Sequence, residues 1–459
     1  MNHQKSQALD AIDRNRELLC RVSDQLWEHP EVGFHEKYAA ELYCDTLEAL
    51  GFQVERNLAG IPTAFSGTYG NDGPVIGFLG EFDALPGLSQ VEAALEKIPA
   101  QESAPGHGCG HNLLGVGSLA AAVAVKQYLQ DNHLPGTVVF FGCPAEEGGS
   151  GKGFMARSGV FQQVDIAFSW HPGEVNSVST EGTMSNYQIC YHFRGVSAHA
   201  AMSPEQGRSA LDALELMNIG VQFLREHVPT DTRIHYAITD TGGSAPGTVQ
   251  PYAQAVYLLR AVHPQQLIDL YDRVNKIARG AAMMTDTTVE IEFIKACSNV
   301  VINTELNRLM QKNLEQVPPA GFDEADLEQA RRYQQTFPKG KTYYGSLVDE
   351  VEDPQMREEL QARADEPIHR VVMPLARERQ GFVSSDVGDV SWNCPVAQIN
   401  AATMPAGVPM HSWQMVAVGK TPMAKKGMLY AAKVMAASAI DALEDPEIIR
   451  RAKEELLRR

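Results

Sequence analysis

The chain has 459 residues, 44% of them apolar and 21% charged, and a formal net charge of −18 at pH 7. That length is too great for one compact core and predicts two or three domains of a water-soluble globular protein. The acidic balance argues against nucleic acid and anionic membrane as partners, because no basic patch offsets it, and it leaves a small-molecule substrate open.

The opening "MNHQKSQALDAIDRNRELL" is polar and helix-like and lacks the apolar core of a signal peptide. Helical stretches are predicted over Leu9–Glu28 and Glu36–Leu50. Short apolar runs follow, "TAFSGTY" and "PVIGFLGEFDALPG", the second a buried strand ending in a turn. Glu92–Gly106 is polar and reads as a loop, and Asn112–Leu129 as a helix, whose apolar stretch Leu113–Val125 is too short to span a bilayer before Lys126 interrupts it. "GTVVFFGCPAEEGGSGKGF" reads as strand, loop and helix start, and "DIAFSWHPGE" as a strand running into a turn. Strands alternating with helices predict an α/β domain with a mostly parallel sheet, in which sites lie beyond the carboxyl ends of the strands. From Asn186 to Ala296 the pattern changes to β-α-β-β-α-β, a ferredoxin-like α+β order, read as an inserted domain. The expected division is 1–185 and 297–459 for the catalytic domain and 186–296 for the insertion. Pro319–Glu378 is charged, partly helical and the least readable part, and "ASAIDALEDPEIIRRAKEELLRR" reads as a closing helix.

Metal-competent residues recur at predicted strand ends and in glycine-rich turns. Cys109 and His111 stand in "GHGCGHN", Glu146 and Glu147 follow the strand "VVFFGC", His171 follows "IAFSW", and His411 stands in "PAGVPMHSW". An isolated His after a strand is usually structural, and adjacent glutamates are usually solvated. Their joint appearance after successive strands of one sheet favours a centre. A thiolate, three imidazoles and a carboxylate suit borderline divalent ions such as zinc or manganese. Five ligands exceed one tetrahedral site and imply two ions sharing a ligand. With Glu147 as a ligand, Glu146 on the same turn can take a proton from water and pass it to a leaving amine. The seven cysteines are scattered without a CxxC pair, which excludes a zinc finger and fits a reducing cytoplasm. No serine nucleophile elbow is present, and "GGSGKG" lacks phosphate-loop spacing.

The stretches "GEFDALPGLSQ", "GHGCGHNLLG", "CPAEEGGSGKGFM", "WHPGE", "SAHAAMSPEQGRSALDA", "HYAITDTGGSAPGTVQ", "SSDVGDVSW" and "HSWQMVAVGKTPMAKKGM" together resemble the aminoacylase and carboxypeptidase group of dinuclear metallopeptidases. Within it they resemble the amidohydrolase branch of hippurate and indole-acetyl-amino-acid hydrolases. The resemblance implies a catalytic α/β domain with an inserted ferredoxin-like lid and dimerisation domain. It implies two divalent ions per subunit, manganese or zinc, on Cys109, His111, Glu147, His171 and His411, and Glu146 as general acid and base. It implies that His199 steadies the oxyanion, often in the partner subunit's site. Other branches carry His-x-Asp where this chain has Glu81-Phe82-Asp83, so Glu81 is not assigned as a ligand and Asp83 supports the ligands from behind. Gly247 stands where the branch often has Asn, leaving that substrate or oxyanion contact open. Arg208 and Arg260 are the basic candidates for a substrate carboxylate, with a structural role equally open for Arg260. The expected protein is a cytoplasmic, homodimeric, metal-dependent amidohydrolase of N-acyl amino acids, with the need for an additional subunit left open. Its rivals are an aminoacylase or dipeptidase, an aryl-amine hydrolase, and a non-catalytic partner chain.

Overall fold

The computed structural model describes residues 2–338 and 340–459. They divide into two compact units. One comprises Met1–Glu181, Val301–Arg379 and Val390–Arg459, and the other Gly182–Val300 with Gln380–Asp389.

In chain order the strands are β1 (Gln53–Arg56), β2 (Phe65–Tyr69), β3 (Val75–Glu81), β4 (Thr137–Cys143), β5 (Ile166–Gly173), β6 (Ser177–Val178), β7 (Glu181–Gly182), β8 (Ser185–Arg194), β9 (Arg233–Asp240), β10 (Tyr252–Ala261), β11 (Thr288–Cys297), β12 (Arg379–Gln380) and β13 (Val396–Ala402). The larger unit holds a seven-stranded sheet in the order β1-β2-β4-β3-β5-β13-β6. Its centre, β4-β3-β5-β13, is parallel, and the strands towards either edge run antiparallel. Every residue of β4 is buried, as for a strand covered on both faces. The helices His111–Asn132 and Pro422–Glu444 are buried along most of their lengths. They are apolar almost all round, which suits helices enclosed in a core. Trp170 of β5 is fully buried, and its indole N–H donates to the carbonyl of Leu114 at 2.8 Å. The expected α/β class with a mostly parallel sheet is borne out.

Gly115 sets how the first of these helices lies. A Cβ there would stand 2.2 Å from the Tyr43 hydroxyl and 2.7 Å from the Glu81 carbonyl oxygen. Its absence lets the helix start press on the carboxyl end of β3. Two stretches read as continuous helix are broken. Leu9–Glu28 falls into His3–Arg14 and Arg16–Glu28, interrupted at Asn15, whose side chain donates to the Ala11 carbonyl. The closing helix is two, Pro422–Glu444 and Pro446–Leu456. Pro446 drives the preceding Asp445 out of the helical region (φ −125°, ψ 88°), and the Asp445 carboxylate caps the new helix through Glu447 N–H.

In the second unit β8–β11 form an antiparallel sheet in the order β11-β8-β10-β9. The helices Ala210–Arg225 and Pro264–Met284 cover one face. This is the expected ferredoxin-like arrangement. Gln380–Asp389 joins it through bonds such as Met184 N–H to the Val383 carbonyl and Ser298 Oγ–H to Asp389, both within 2.8 Å.

The segment after Pro319 supplies short helices, Glu324–Gln334, Tyr343–Asp349 and Pro354–Gln361. The buried Glu174 carboxylate ties it to its surroundings, accepting from Tyr344 N–H at 2.6 Å and Gly407 N–H at 2.5 Å. No helix among the described residues is long and apolar enough to cross a membrane.

Candidate metal centre

The site gathers at the carboxyl ends of the parallel strands, where loops leave an open α/β sheet. Gly110, at φ 75°, makes the left-handed turn between Cys109 and the helix that starts at His111. Glu146 and Glu147 leave β4 through Ala145, itself at φ 58°. His171 is in β5, and His411 follows β13 at φ 56°. Non-glycine residues in this region are strained and persist where the surroundings hold them. His411 N–H donates to the Gly108 carbonyl at 2.9 Å, which ties the loops carrying Cys109 and His411 together.

Two groups of donor atoms result. Cys109, His111 and His171 each place a donor atom within 4.8 Å of the others, and so do Cys109, Glu147 and His411. Cys109 is the member they share. Its sulfur lies 3.4 Å from His171 Nε2, and His411 Nε2 lies 3.6 Å from a Glu147 oxygen. A third group joins Glu81, His111 and Glu146.

Hydrogen bonds behind these residues decide which atoms point inward. Asp83 is buried and works in two directions. One oxygen accepts from His111 Nδ1 at 2.9 Å and the other from Glu147 N–H at 2.9 Å. His171 Nδ1 lies 2.8 Å from the Pro172 carbonyl, an acceptor only. Nδ1 of both rings therefore carries the proton, and the Nε2 lone pair is free for a ligand, the usual arrangement behind metal-bound imidazole. Glu147 Oε1 is buried without a hydrogen-bond partner, and His111 Nε2 has a Glu81 oxygen no nearer than 3.3 Å. A buried orphaned oxygen is costly unless something binds it. A sulfur, nitrogen and oxygen donor set with an orphaned carboxylate oxygen fits divalent metal.

Burial sets the direction of protonation for Cys109 and His171 in the metal-free site. It pushes the Cys109 thiol up to about 12, against the pull of His111. It also lowers His171. Burial depresses His111 too, but Cys109 and Asp83 outweigh it and hold this imidazole well above its ordinary value.

Four neighbours take on roles that no motif of the sequence assigns them. Glu81 is held by the fully buried Lys152, at 2.7 Å, and turns its other oxygen to His111 Nε2 at 3.3 Å. Lys152 lies in the "GGSGKG" stretch. Glu36 is fully buried and accepts from the N–H of the strained Ala145 at 2.8 Å. Burial raises its carboxyl to about 7. His107 Nε2 lies 3.1 Å from the Leu26 carbonyl and braces the loop before Cys109. A lone Glu, Lys or His becomes notable only once the fold has buried it.

The other named residues belong to the second unit. His199 is exposed, and its Nδ1 accepts from Ala201 and Met202 N–H at 3.2 Å, which puts the ring proton on Nε2. Arg208 pairs with Asp286 at 2.7 Å, and Arg260 donates to Ser384 Oγ at 2.9 Å. Gly247 takes part through its backbone, accepting from Ala200 N–H at 2.9 Å.

A model of the family described as peptidase family M20/M25/M40 matches residues 77–352. A p-aminobenzoyl-glutamate hydrolase subunit of Escherichia coli (strain K12) is 42% identical over 448 residues, covering 97% of this chain and 93% of the relative. A Xaa-Arg dipeptidase of Mus musculus is 31% identical over 301 residues, 63% of this chain and 65% of the relative. Among solved structures, the YXEP protein of Bacillus subtilis, described as a dinuclear metal binding peptidase from the M20 family, matches with a TM-score of 0.60 at 15% identity, covering 94% of this chain and 99% of that one. The resemblance carried by the motifs is borne out: the chain belongs to peptidase family M20/M25/M40 and is a metal-dependent hydrolase of amide bonds.

Proposed function

We propose that the protein hydrolyses the amide of N-acyl amino acids with an aromatic acyl group, of the aminobenzoyl-glutamate kind, and releases the free amino acid. The observation that carries this reading is the pair of ligand groups sharing Cys109, with Glu146 beside His111. The 42% identical relative named for that substrate supports it. In this reading Cys109, His111, Glu147, His171 and His411 hold two divalent ions, zinc or manganese. When bound, the ions supply charge that polarises the substrate carbonyl and acidifies water. Glu146 takes the proton of the attacking water and delivers it to the departing nitrogen. Asp83 keeps His111 and Glu147 in register, and Lys152 holds one oxygen of Glu81 in an ion pair.

His199 donates to the oxyanion through Nε2–H, the tautomer that its two backbone contacts favour. In our reading it does so across a homodimer. The end strand β9 supports this, with Tyr236 and Ile238 on it and Ile219 and Phe223 on the adjacent helix all exposed. The 186–296 insertion then serves as lid and dimerisation domain. The relative's designation as a subunit makes a further partner chain part of the proposal. All seven cysteines are free thiols, which suits a cytoplasmic location.

The test is an amino-acid release assay on chelator-stripped protein, with and without added manganese or zinc. The panel comprises p-aminobenzoyl-glutamate, hippurate and dipeptides. We expect metal-dependent release from the aromatic N-acyl substrates. Native rates without metal would overturn the metal reading. Preference for dipeptides ending in arginine would favour a second reading, supported by the 31% identical relative.

A further inference from the structure

Among the described residues, the helices Ala210–Arg225 and Pro264–Met284 cover one face of the second unit's sheet. Alternation along β8 sends Ile189, Tyr191 and Phe193 into the helix-covered core and leaves Cys190, His192 and Arg194 on the opposite face. On that face Cys190 stands directly across from Glu292 of the end strand β11. The Cys190 sulfur, a His192 ring nitrogen and a Glu292 oxygen lie within 4.8 Å of one another. Cys190 is buried, the His192 side chain is 16% exposed, and Glu292 is 60% exposed at the rim. The ladder is interrupted between Phe293 and Lys295, immediately after Glu292, the kind of irregularity that re-aims side chains beside sites.

The hydrogen bonds around this group have a direction. The Tyr252 hydroxyl has one proton and donates it to Gln254 Oε1 at 2.6 Å. Towards His192 Nδ1, 2.8 Å away, the phenol oxygen can only accept, so Nδ1 carries a proton. A neutral imidazole then points the Nε2 lone pair at a Glu292 carboxylate oxygen 2.9 Å away. Two acceptors at that distance need either a metal cation or a further ring proton between them. Gln254, its carbonyl oxygen committed to Tyr252, hydrogen-bonds Cys190 as well. The three donors thus have a supporting set, a phenol behind the imidazole and an amide against the sulfur, of the sort that orients metal ligands.

We propose that Cys190, His192 and Glu292 bind one zinc-class divalent cation within the inserted unit, with a fourth position open to water. A thiolate, a carboxylate and a neutral imidazole balance the ion's two charges and match zinc's preferred donors. Binding displaces the Cys190 thiol proton to solvent. The ion would clamp end strand β11 to β8. The competing arrangement is a second proton on the ring, an imidazolium–carboxylate pair with no metal.

The experiment counts metal per chain. Full-length protein is stripped with chelator, equilibrated with buffered zinc, separated from free ion and analysed by elemental analysis, as wild type and as Cys190→Ser, His192→Ala and Glu292→Gln. Each variant is expected to hold one equivalent fewer than wild type while keeping its amidohydrolase turnover. That difference holds whatever the Cys109 centre contains, so this proposal can fail without the function failing, and the reverse. Circular dichroism checks folding. If a strand-interior variant misfolds, Glu292→Gln decides, because it keeps the side chain's shape at an exposed position. Equal zinc content in wild type and the folded variants overturns the proposal and leaves the imidazolium–carboxylate pair.

Discussion

Adjacent glutamates at the end of β4 stand in different surroundings, and in our reading these give them opposite work. Glu147 has its backbone held by Asp83 and a side-chain oxygen buried without a partner, whereas Glu146 is half-buried beside His111. Glu146→Gln is therefore expected to keep the metal content and lower kcat by about 100-fold or more, because an amide of the same shape cannot accept the proton. Glu147→Gln is expected to lose metal. Elemental analysis beside kcat measurement checks both, and the reverse pattern would exchange the roles. Glu36 makes a separate prediction about pH. Its folded carboxyl sits at about 7 against an ordinary 4.5, so the folded state holds an extra proton between those values. In metal-free protein, stability is expected to fall as pH rises through that window, by up to about 3 kcal/mol, and to level off above it. Glu36→Gln retains an acceptor for Ala145 N–H and should flatten the profile. Urea unfolding of both proteins at about pH 5 and about pH 8 measures the difference.

At the scale of elements, the candidate metal centre rests on how the helix starting at His111 meets the end of β3. Gly115 permits that approach, and a methyl group there meets a backbone oxygen that cannot swing aside. Gly115→Ala is expected to destabilise by about 1–3 kcal/mol despite alanine's better helix propensity, the range for overpacked cores. It should also weaken metal binding by displacing His111 from Asp83. Denaturant midpoints and a competitive metal titration test the two effects, and an unchanged metal affinity would mean that the helix start is not what positions the ligand. Boundaries between elements were less legible in the sequence than the elements themselves. Hydrophobic periodicity ran through Asn15 and through Asp445-Pro446, yet side-chain capping in the first case and a missing proline N–H in the second divide the helices.

For the whole molecule, the proposed dimer makes a prediction that no single chain can mimic. Glu146→Gln chains and His199→Ala chains, each inactive alone, should regain roughly a quarter of wild-type turnover after subunit exchange, because each mixed dimer contains one intact site. No recovery despite demonstrated exchange would place His199 in its own chain's chemistry or in a structural role. The motif residues were readable in advance because each stands in a glycine turn or beyond a strand of one parallel sheet, and topology sends such ends to the same side. The α/β class and the inserted ferredoxin-like unit were readable for a related reason: side-chain periodicity follows directly from strand and helix geometry. Tertiary structure alone decided that Cys109 stands between two groups of donors, that Lys152 neutralises Glu81, that Glu36 holds the strained turn at Ala145, and that Cys190, His192 and Glu292 converge across two strands. Those facts depend on burial and on register between segments distant in sequence. The charge state and partner of an ordinary Glu, Lys or Cys are fixed only when packing removes water and brings another chain segment to face it.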